Sequence, residues 1–201
     1  MYFFLQLTLS GLTQGAIYGL IALSLTVVYR ATTVVNFGHG DFVMAGAFVV
    51  YVLVIYLGMS YLPAALLAVV ILFCLGVGIS RGFIDPIKSG PHIGFAMMSI
   101  SLGYILRGGA RTLWGREVFP MPRVFDTEPI FLGELVVTGD VLFICAIVGV
   151  LLTAFFVIFY RTTVGTLIQA VYQSERGATL IGVNVQAFHQ SMWGVGLAMG
   201  A

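Results

Sequence analysis

Charged side chains are scarce in this sequence. Aspartate, glutamate, lysine and arginine together make up 8% of the 201 residues, against about 25% in an ordinary soluble protein. Hydrophobic residues make up 60%, and the mean hydropathy is +1.06. Because a soluble fold cannot bury that much apolar surface, the composition indicates a membrane protein in contact with the lipid bilayer.

An excess of basic residues is also missing, since nine lysines and arginines face eight acids. A protein that binds nucleic acid needs a basic patch to neutralise phosphates, so we expect no nucleic acid partner. The two cysteines, Cys74 and Cys145, lie in long apolar runs without the CxxC spacing of a metal or redox site. We expect both to be buried packing residues.

Motifs of the common enzyme classes are absent as well. The only lysine, Lys88, does not complete a G-x-x-x-x-G-K-[ST] phosphate loop, and there is no G-x-S-x-G elbow, H-E-x-x-H helix or paired-carboxylate cluster. The histidines are spread at His39, His92 and His189. We therefore predict no enzymatic activity, no catalytic residue, no metal site and no cofactor in this chain.

Long uncharged runs predict membrane-spanning helices, since about 20 helical residues cross a hydrocarbon core of roughly 30 Å. We predict an all-α polytopic transmembrane bundle forming one domain over residues 1–201. It has about six spans, near residues 1–29, 41–57, 62–80, 93–106, 141–160 and 188–201. The fourth is short, so it either extends through residues 108–110 or forms a broken or re-entrant segment. We expect the first run to be retained rather than cleaved, and the chain to end within a helix.

The polar segments between these runs set the predicted orientation. With residues 161–187 in the cytoplasm, the amino terminus lies outside. The predicted cytoplasmic basic residues are then Arg30, Arg81, Lys88, Arg161 and Arg176, and the predicted outer ones are Arg107, Arg111, Arg116 and Arg123. Residues 107–138 are either a docking surface for a binding protein or, more simply, a solvated connector. Asp140 is expected to cap the next helix.

Three glycines in the first helix, Gly11, Gly15 and Gly19, recur every four residues. This spacing lays them along one face, where helices can approach closely. We predict a helix packing seam there.

The polar hexapeptide at residues 36–41, Asn-Phe-Gly-His-Gly-Asp, stands between two apolar runs. One interpretation is a discontinuous helix that borders a translocation path, with Asn36, Phe37, His39 and Asp41 as its residues. The other is an ordinary cytoplasmic turn in which Asn36 or Asp41 caps a helix. The chemistry of the residues by itself favours the turn.

Residues 161–187 contain apolar side chains at helical spacing. Such a helix either lays its apolar face into a groove of a partner or packs on its own bundle. Gly182 follows as a helix stop, and Glu175 supplies a polar contact.

Two stretches resemble the LivH-like permeases of branched-chain amino acid ABC transporters: residues 11–50, with Asn-Phe-Gly-His-Gly, and the coupling loop at residues 161–187. Gly38 replaces the alanine that is usual in the family, a change that we expect to loosen the backbone. The loop also has fewer arginines than is usual. The chain is similar to the front two thirds of a member, so we expect a truncated permease domain.

This resemblance implies a permease that moves branched-chain or related amino acids across the bacterial inner membrane by alternating access. It implies three kinds of partner: ABC ATPase subunits, a second homologous permease and a periplasmic substrate-binding protein. It also supports the translocation path at residues 36–41 and an ATPase contact through the coupling loop. The coupling residues would be Arg161, Gly165, Glu175 and Gly182.

The sequence leaves three alternatives open. The cargo could be urea, an amide or another small solute. The chain could be a transporter that works without an ATPase, although residues 42–80 hold none of the charges that ion coupling would need. It could also be a non-functional truncated fragment.

Overall fold

The computed structural model describes residues 2–33, 35–87, 90, 92–117, 119–121, 130–132 and 135–200. Lys88 and Arg123, whose sides of the membrane the sequence predicts, lie outside these residues. The helices are α1 (Tyr2–Thr32), α2 (His39–Tyr51), α3 (Tyr61–Ile79), α4 (Asp85–Ile87), α5 (His92–Trp114), α6 (Gly139–Arg161), α7 (Thr163–Gln173), α8 (Glu175–Leu180) and α9 (Val185–Gly200). Two π-helical turns, Val52–Tyr56 and Ser80–Ile84, continue α2 and α3.

The polytopic helical bundle is confirmed. Five helices among the described residues are long and apolar enough to cross a membrane: Phe3–Thr32, His39–Tyr56, Tyr61–Ile87, Ile93–Trp114 and Gly139–Arg161. The sixth predicted span, near residues 188–201, lies in the 16-residue α9, which is not among these five helices. A small antiparallel hairpin, β1 (Ile130–Leu132) and β2 (Leu135–Val137), precedes α6 and was not predicted.

The fourth span extends rather than re-entering. Helix α5 continues past Arg107 to Trp114, because Arg107 finds a carboxylate on α2 and does not have to leave the bundle. Arg107 and Arg111 therefore belong to this helix and not to the polar connector. The re-entrant alternative is wrong for this segment.

Helix α9 forms the centre of the bundle, between α1 and α3. Its Trp193 and Leu197 side chains are fully buried. Gly76 of α3 and Gly194 of α9 allow the backbones to meet, since a Cβ atom on Gly76 would lie 2.7 Å from the Trp193 carbonyl oxygen. Small residues at a crossing are what permits such close approach.

The predicted glycine seam on α1 is not found within the described part of the chain. Gly11, Gly15 and Gly19 are exposed, and no heavy atom of another element lies within 4 Å of a Cβ placed on any of them. Helix α1 instead packs on α9 nearer its own carboxyl end, where Val28 contacts Gly196. The four-residue glycine spacing was therefore a misleading signal for contacts inside this bundle.

Much of the remaining surface is apolar. Only 6% of the α6 span is buried inside the structure, so the side of α6 that is turned away from α1 faces the surroundings of the bundle. For a membrane-spanning helix these surroundings are lipid or another subunit. Cys74 is exposed and Cys145 is half-buried. The prediction that both cysteines are buried packing residues is wrong, because Cys74 lies on a helix face that this chain leaves uncovered and Cys145 is covered only in part.

The bundle has two ends. The end at which α7 and α8 lie is called the loop end. The opposite end, where the β1–β2 hairpin leads into α6, is the hairpin end.

Candidate functional site

The hexapeptide at residues 36–41 lies inside the bundle, where α2 begins. Helix α1 ends at Thr32, and Thr33 has a left-handed φ of 56°. The chain then turns back, so that His39 contacts Ser24, roughly two turns before the end of α1. Asn36 and His39 are 2% and 4% exposed. The segment is thus neither a solvent-exposed turn nor a break within one helix, but a helix start set about 12 Å deep along α1.

The backbone amides of residues 37–39 form hydrogen bonds within the protein. The Phe37 amide donates to Ser99 Oγ at 3.1 Å, the Gly38 amide donates to Asn36 Oδ1 at 3.1 Å, and the His39 amide donates to the Asn36 carbonyl at 3.2 Å. Non-helical backbone at membrane depth is tolerated only where such partners or a watery cavity satisfy it. Asn36 and Ser99 therefore hold the start of α2 in place.

Gly38 is required by space and not by flexibility. A Cβ atom on this residue would overlap the Ser99 carbonyl oxygen of α5. Its φ of −84° and ψ of 6° are open to other residues. The expected loosening of the backbone is therefore wrong: the glycine lets the start of α2 approach α5 more closely than an alanine would.

His39 and Asn36 present unpartnered polar atoms inside the bundle. Ser24 Oγ lies 2.6 Å from His39 Nε2 and donates its own hydrogen to the Ile21 carbonyl at 2.8 Å. The arrangement that satisfies both bonds makes Nε2 the protonated ring nitrogen and Nδ1 an acceptor. Neither His39 Nδ1 nor Asn36 Nδ2 has a hydrogen-bond partner in the described part of the chain.

Asp41 is committed to an ion pair. Its Oδ1 accepts hydrogen bonds from Arg107 Nε at 2.9 Å and Nη2 at 2.7 Å, and the Arg107 guanidinium lies 5.7 Å from the centre of the Tyr104 ring. Phe37 is 62% exposed. Of the four predicted path residues, the structure thus brings Asn36 and His39 together inside the bundle, joins Asp41 to α5, and turns Phe37 outward.

The ion pair predicts a double-mutant result. Asp41→Asn or Arg107→Gln alone leaves one charge unpaired within a span, so each should lower the free energy of unfolding by about 2 kcal/mol. The double variant should cost clearly less than the sum of the two, because it leaves no unpaired charge. Thermal unfolding of the purified variants in detergent measures this, with Arg111→Gln, outside the pair, as the control. Strictly additive losses would contradict the pairing.

A large apolar cavity lies beside this polar cluster, between α1, α2, α3, α6 and α9. Its volume is about 1070 Å³. Its lining is almost entirely aliphatic and aromatic, with Ile17, Leu20, Ile21, Val43, Val50, Val69, Val70, Phe73, Phe143, Ile144, Ile147, Val148, Leu151, Val195 and Met199 among its residues. Gly200 also lines the cavity, and a Cβ atom on it would lie 3.3 Å from His39 Nε2 and 3.5 Å from Ser24 Oγ. The Ser24–His39 pair therefore lies behind the cavity wall at Gly200.

Asp140 lines the cavity near the hairpin end. The N-cap of α6 is Thr138 and no side chain caps it, so the prediction that Asp140 caps the helix is wrong; it lies in the first turn. Its Oδ1 atom is buried without a hydrogen-bond partner among the described residues. A carboxylate in such a place is ready to accept a hydrogen bond from a cationic group. The sequence did not reveal the cavity, because its lining comes from five helices that share no motif.

The predicted coupling residues occupy α6 to α8 at the loop end. Arg161 is exposed at the end of α6. At Gly165 a Cβ atom would overlap the Phe159 carbonyl oxygen, so only glycine fits the tight turn into α7. Ile168 of α7 is buried in a cluster with Val27 of α1 and Met192 of α9. This side of α7 therefore packs on its own bundle, whereas Val164 and Tyr172 of the same helix are 41% and 48% exposed.

Helix α8 also carries exposed apolar surface. Ser174 caps its start, accepting a hydrogen bond from the Gly177 amide at 3.0 Å. Gly182 ends it with φ at 90°, which confirms the predicted helix stop. Glu175 Oε1 lies 3.5 Å from Nε2 of the buried His189 on α9. Leu180 and Ile181, at the end of the helix, are 88% and 74% exposed.

Comparison with known proteins identifies the family. The family model described as branched-chain amino acid transport system / permease component matches residues 7–201. The chain belongs to this family. It is 24% identical to the high-affinity branched-chain amino acid transport system permease protein LivH of Salmonella typhimurium and to LivH of Escherichia coli K12, over 99% of this chain and 68% of each relative. It is 24% identical to the corresponding protein BraD of Pseudomonas aeruginosa, over 100% of this chain and 69% of the relative. No solved structure matches significantly.

Membership of this family agrees with the geometry of the chain. A permease component needs several spans and an interior that a solute can enter. The five spanning helices and the cavity among them meet both needs. The chain is thus a multi-pass membrane permease, and the resemblance stated from the two sequence stretches is confirmed.

Proposed function

We propose that this permease is the membrane-spanning subunit of an ABC importer that moves branched-chain amino acids across the bacterial inner membrane by alternating access. The apolar cavity of about 1070 Å³ carries the proposal. Binding sites for small ligands are commonly about 300 to 1,000 Å³, lined by apolar side chains with a few polar groups. An aliphatic side chain would leave water favourably there, at about 0.8 kcal/mol for each buried methylene group. The lining offers urea few hydrogen-bond partners.

One polar group lines the cavity and others lie behind its wall, and together they suit the charged groups of a zwitterion. The Asp140 carboxylate near the hairpin end would bind the substrate's ammonium group as it enters. Asn36 Nδ2, a buried donor that precedes α2 and does not line the cavity, would bind the carboxylate after the substrate has passed the cavity wall. His39 would order this part of the path through its bond to Ser24. Asn36 and His39 are thus the path residues, and Asp41 supports them through Arg107.

The end of α8 is the contact that we assign to a separate ATPase subunit, which would hydrolyse ATP. Leu180 and Ile181 stand almost fully exposed in a segment that lies outside the apolar spans. Large exposed apolar side chains in such a place are typical of protein interfaces. The contact between Glu175 and His189 links α8 to α9, whose far end lies beside the cavity. A movement of α8 would thereby reach the cavity. A second homologous permease and a periplasmic binding protein would complete the importer.

Uptake of labelled leucine tests this function. Cells that carry the chain with its neighbouring transporter subunits should take up leucine, and excess unlabelled urea should not compete. Leu180→Asp should abolish uptake and co-purification of the ATPase, because a charge replaces the apolar contact. Leu180→Met, which keeps the apolar volume, should retain both.

Each outcome has a separate meaning. Uptake of labelled urea in place of leucine would contradict the proposed substrate and would leave the proposed coupling through α8 untouched. Uptake that persists in Leu180→Asp, with the variant present in the membrane at the normal level, would contradict coupling through α8. Leucine uptake without any ATPase subunit would contradict the ABC importer as a whole.

A further inference from the structure

A recess on the side of the bundle has no role in the proposed transport path. It opens between α1, α6 and α7 and has two adjoining parts, which we name together the side recess. The apolar part, about 190 Å³, lies between α1 and α6 and is lined by Leu23, Val27 and Phe155. The polar part, about 360 Å³, lies along α7 and is lined by Gln169 and Gln173. The two parts share four residues, including Arg30 and Tyr160.

Arg30 stands where the two parts of the side recess meet. It is exposed in the last turn of α1. In the described part of the chain no carboxylate lies within ion-pair distance of it, and its contact is with the Tyr172 ring, 5.7 Å from the guanidinium carbon. A guanidinium binds phosphate oxygens through two parallel hydrogen bonds. The side recess thus offers one unpaired cation between an apolar compartment and an amide-lined one.

We propose that the side recess binds one anionic phospholipid, with its phosphate on Arg30, its polar head group beside Gln169 and Gln173, and part of an acyl chain between α1 and α6. The positions of the apolar and polar parts along the bundle support a lipid. The apolar part lies toward the middle of the spans and the polar part lies along α7, outside them, as acyl chains and head groups are arranged in a bilayer. A free phosphate ion would not use the apolar part.

The surroundings of the side recess also fit a lipid. Helix α6, which forms one wall, is 6% buried within the structure, and Phe156 and Tyr160 on it are 51% and 69% exposed. Tyrosine at this level is typical of the membrane interface. A lipid bound here would tie α7 to α1 and α6, and so would steady the segment that leads to α8. This inference does not depend on the substrate or on the ATPase.

Lipid retention and thermal unfolding of the purified chain in a neutral detergent test the proposal. Native mass spectrometry should show phosphatidylglycerol retained in preference to phosphatidylcholine, and added phosphatidylglycerol should raise the Tm by several degrees. Arg30→Gln should lose both effects. Arg176→Gln, which removes the same charge from α8 outside the recess, should keep both. Thr26→Phe, which fills the apolar part and leaves Arg30 in place, should also lose them.

The alternatives give different results. A rise in Tm with inorganic phosphate equal to that with phosphatidylglycerol would show an anion site and overturn the lipid. Equal retention of phosphatidylglycerol by wild type, Arg30→Gln and Thr26→Phe would overturn the site. If Arg30→Gln does not fold, Thr26→Phe alone decides.

Discussion

Replacing Gly76 by valine is expected to prevent the bundle from assembling, whereas Gly78→Val, two residues along the same helix, is expected to leave it folded. A Cβ atom on Gly76 would lie 2.7 Å from the Trp193 carbonyl oxygen and 2.8 Å from Gly194 Cα, both of them backbone atoms. A backbone cannot move aside as the end of a flexible side chain can. The two helices would have to separate.

The expected cost is large because α9 packs across this crossing. Trp193 and Leu197 are fully buried against neighbouring helices, so a displaced α9 would lose their contacts as well. Overpacking a well-filled site costs about 1 to 3 kcal/mol, and the loss of buried contacts adds to that. The free energy of unfolding should fall by about 3 kcal/mol or more.

The matched control isolates the crossing from the nature of the substitution. Gly78 is exposed and no heavy atom of another element lies within 4 Å of a Cβ placed on it. The fraction of each variant that is monodisperse in detergent, together with its Tm, measures the effect. Equal losses in the two variants would mean that valine harms α3 locally, and the close crossing of α3 and α9 would then be contradicted.

The spans could be predicted because their cause is local. A run without charge has to be about 20 residues long to cross a bilayer, and this length can be read from neighbouring residues. Residues 42–80 thus divide into α2 and α3 as predicted. The extent of α5 could not be predicted in the same way. Whether Arg107 is tolerated in a helix depends on Asp41, 66 positions earlier, and nothing near Arg107 in the chain announces it.

The glycines also show that a pattern within one helix does not predict contacts between helices. Gly11, Gly15 and Gly19 have a regular period that is visible in one helix, yet all three stand free of packing within the described residues. Gly76 and Gly194 form the close crossing, and they are far apart in the chain with no shared period. A helix crossing needs one small residue from each partner, so a pattern within one helix is insufficient.

The composition of the hexapeptide at residues 36–41 marked it as a polar break between helices, but it did not predict that the segment lies inside the bundle. Two glycines and three polar residues are equally typical of a surface turn. The depth comes from the bond of His39 to Ser24 and from the packing of Gly38 on Ser99, which join three elements. The cavity beside it could not be predicted either, because it too is formed by several elements. The end of α8 could be predicted from Gly182 alone.

Asp140→Asn is expected to reduce leucine uptake about tenfold or more while leaving the protein folded. If the Asp140 carboxylate binds the substrate's ammonium group, the change removes a charge-assisted hydrogen bond of about 1.5 to 3 kcal/mol, and 1.4 kcal/mol corresponds to a factor of ten. Among the described residues the structural loss is that of an acid in the first turn of α6, which contributes about 0.3 to 1 kcal/mol. The Tm should therefore change little.

Asp140→Asn should lower the maximal rate of leucine uptake. The leucine concentration that gives half-maximal uptake should stay the same, because a separate binding protein is proposed to capture the amino acid first. Asp140→Glu keeps the charge and should retain part of the uptake. Glu117→Gln, which removes an exposed carboxylate that does not line the cavity, should transport normally. Full uptake by Asp140→Asn would show that this carboxylate only stabilises the start of α6, and the ammonium site would have to be sought on a different part of the cavity wall.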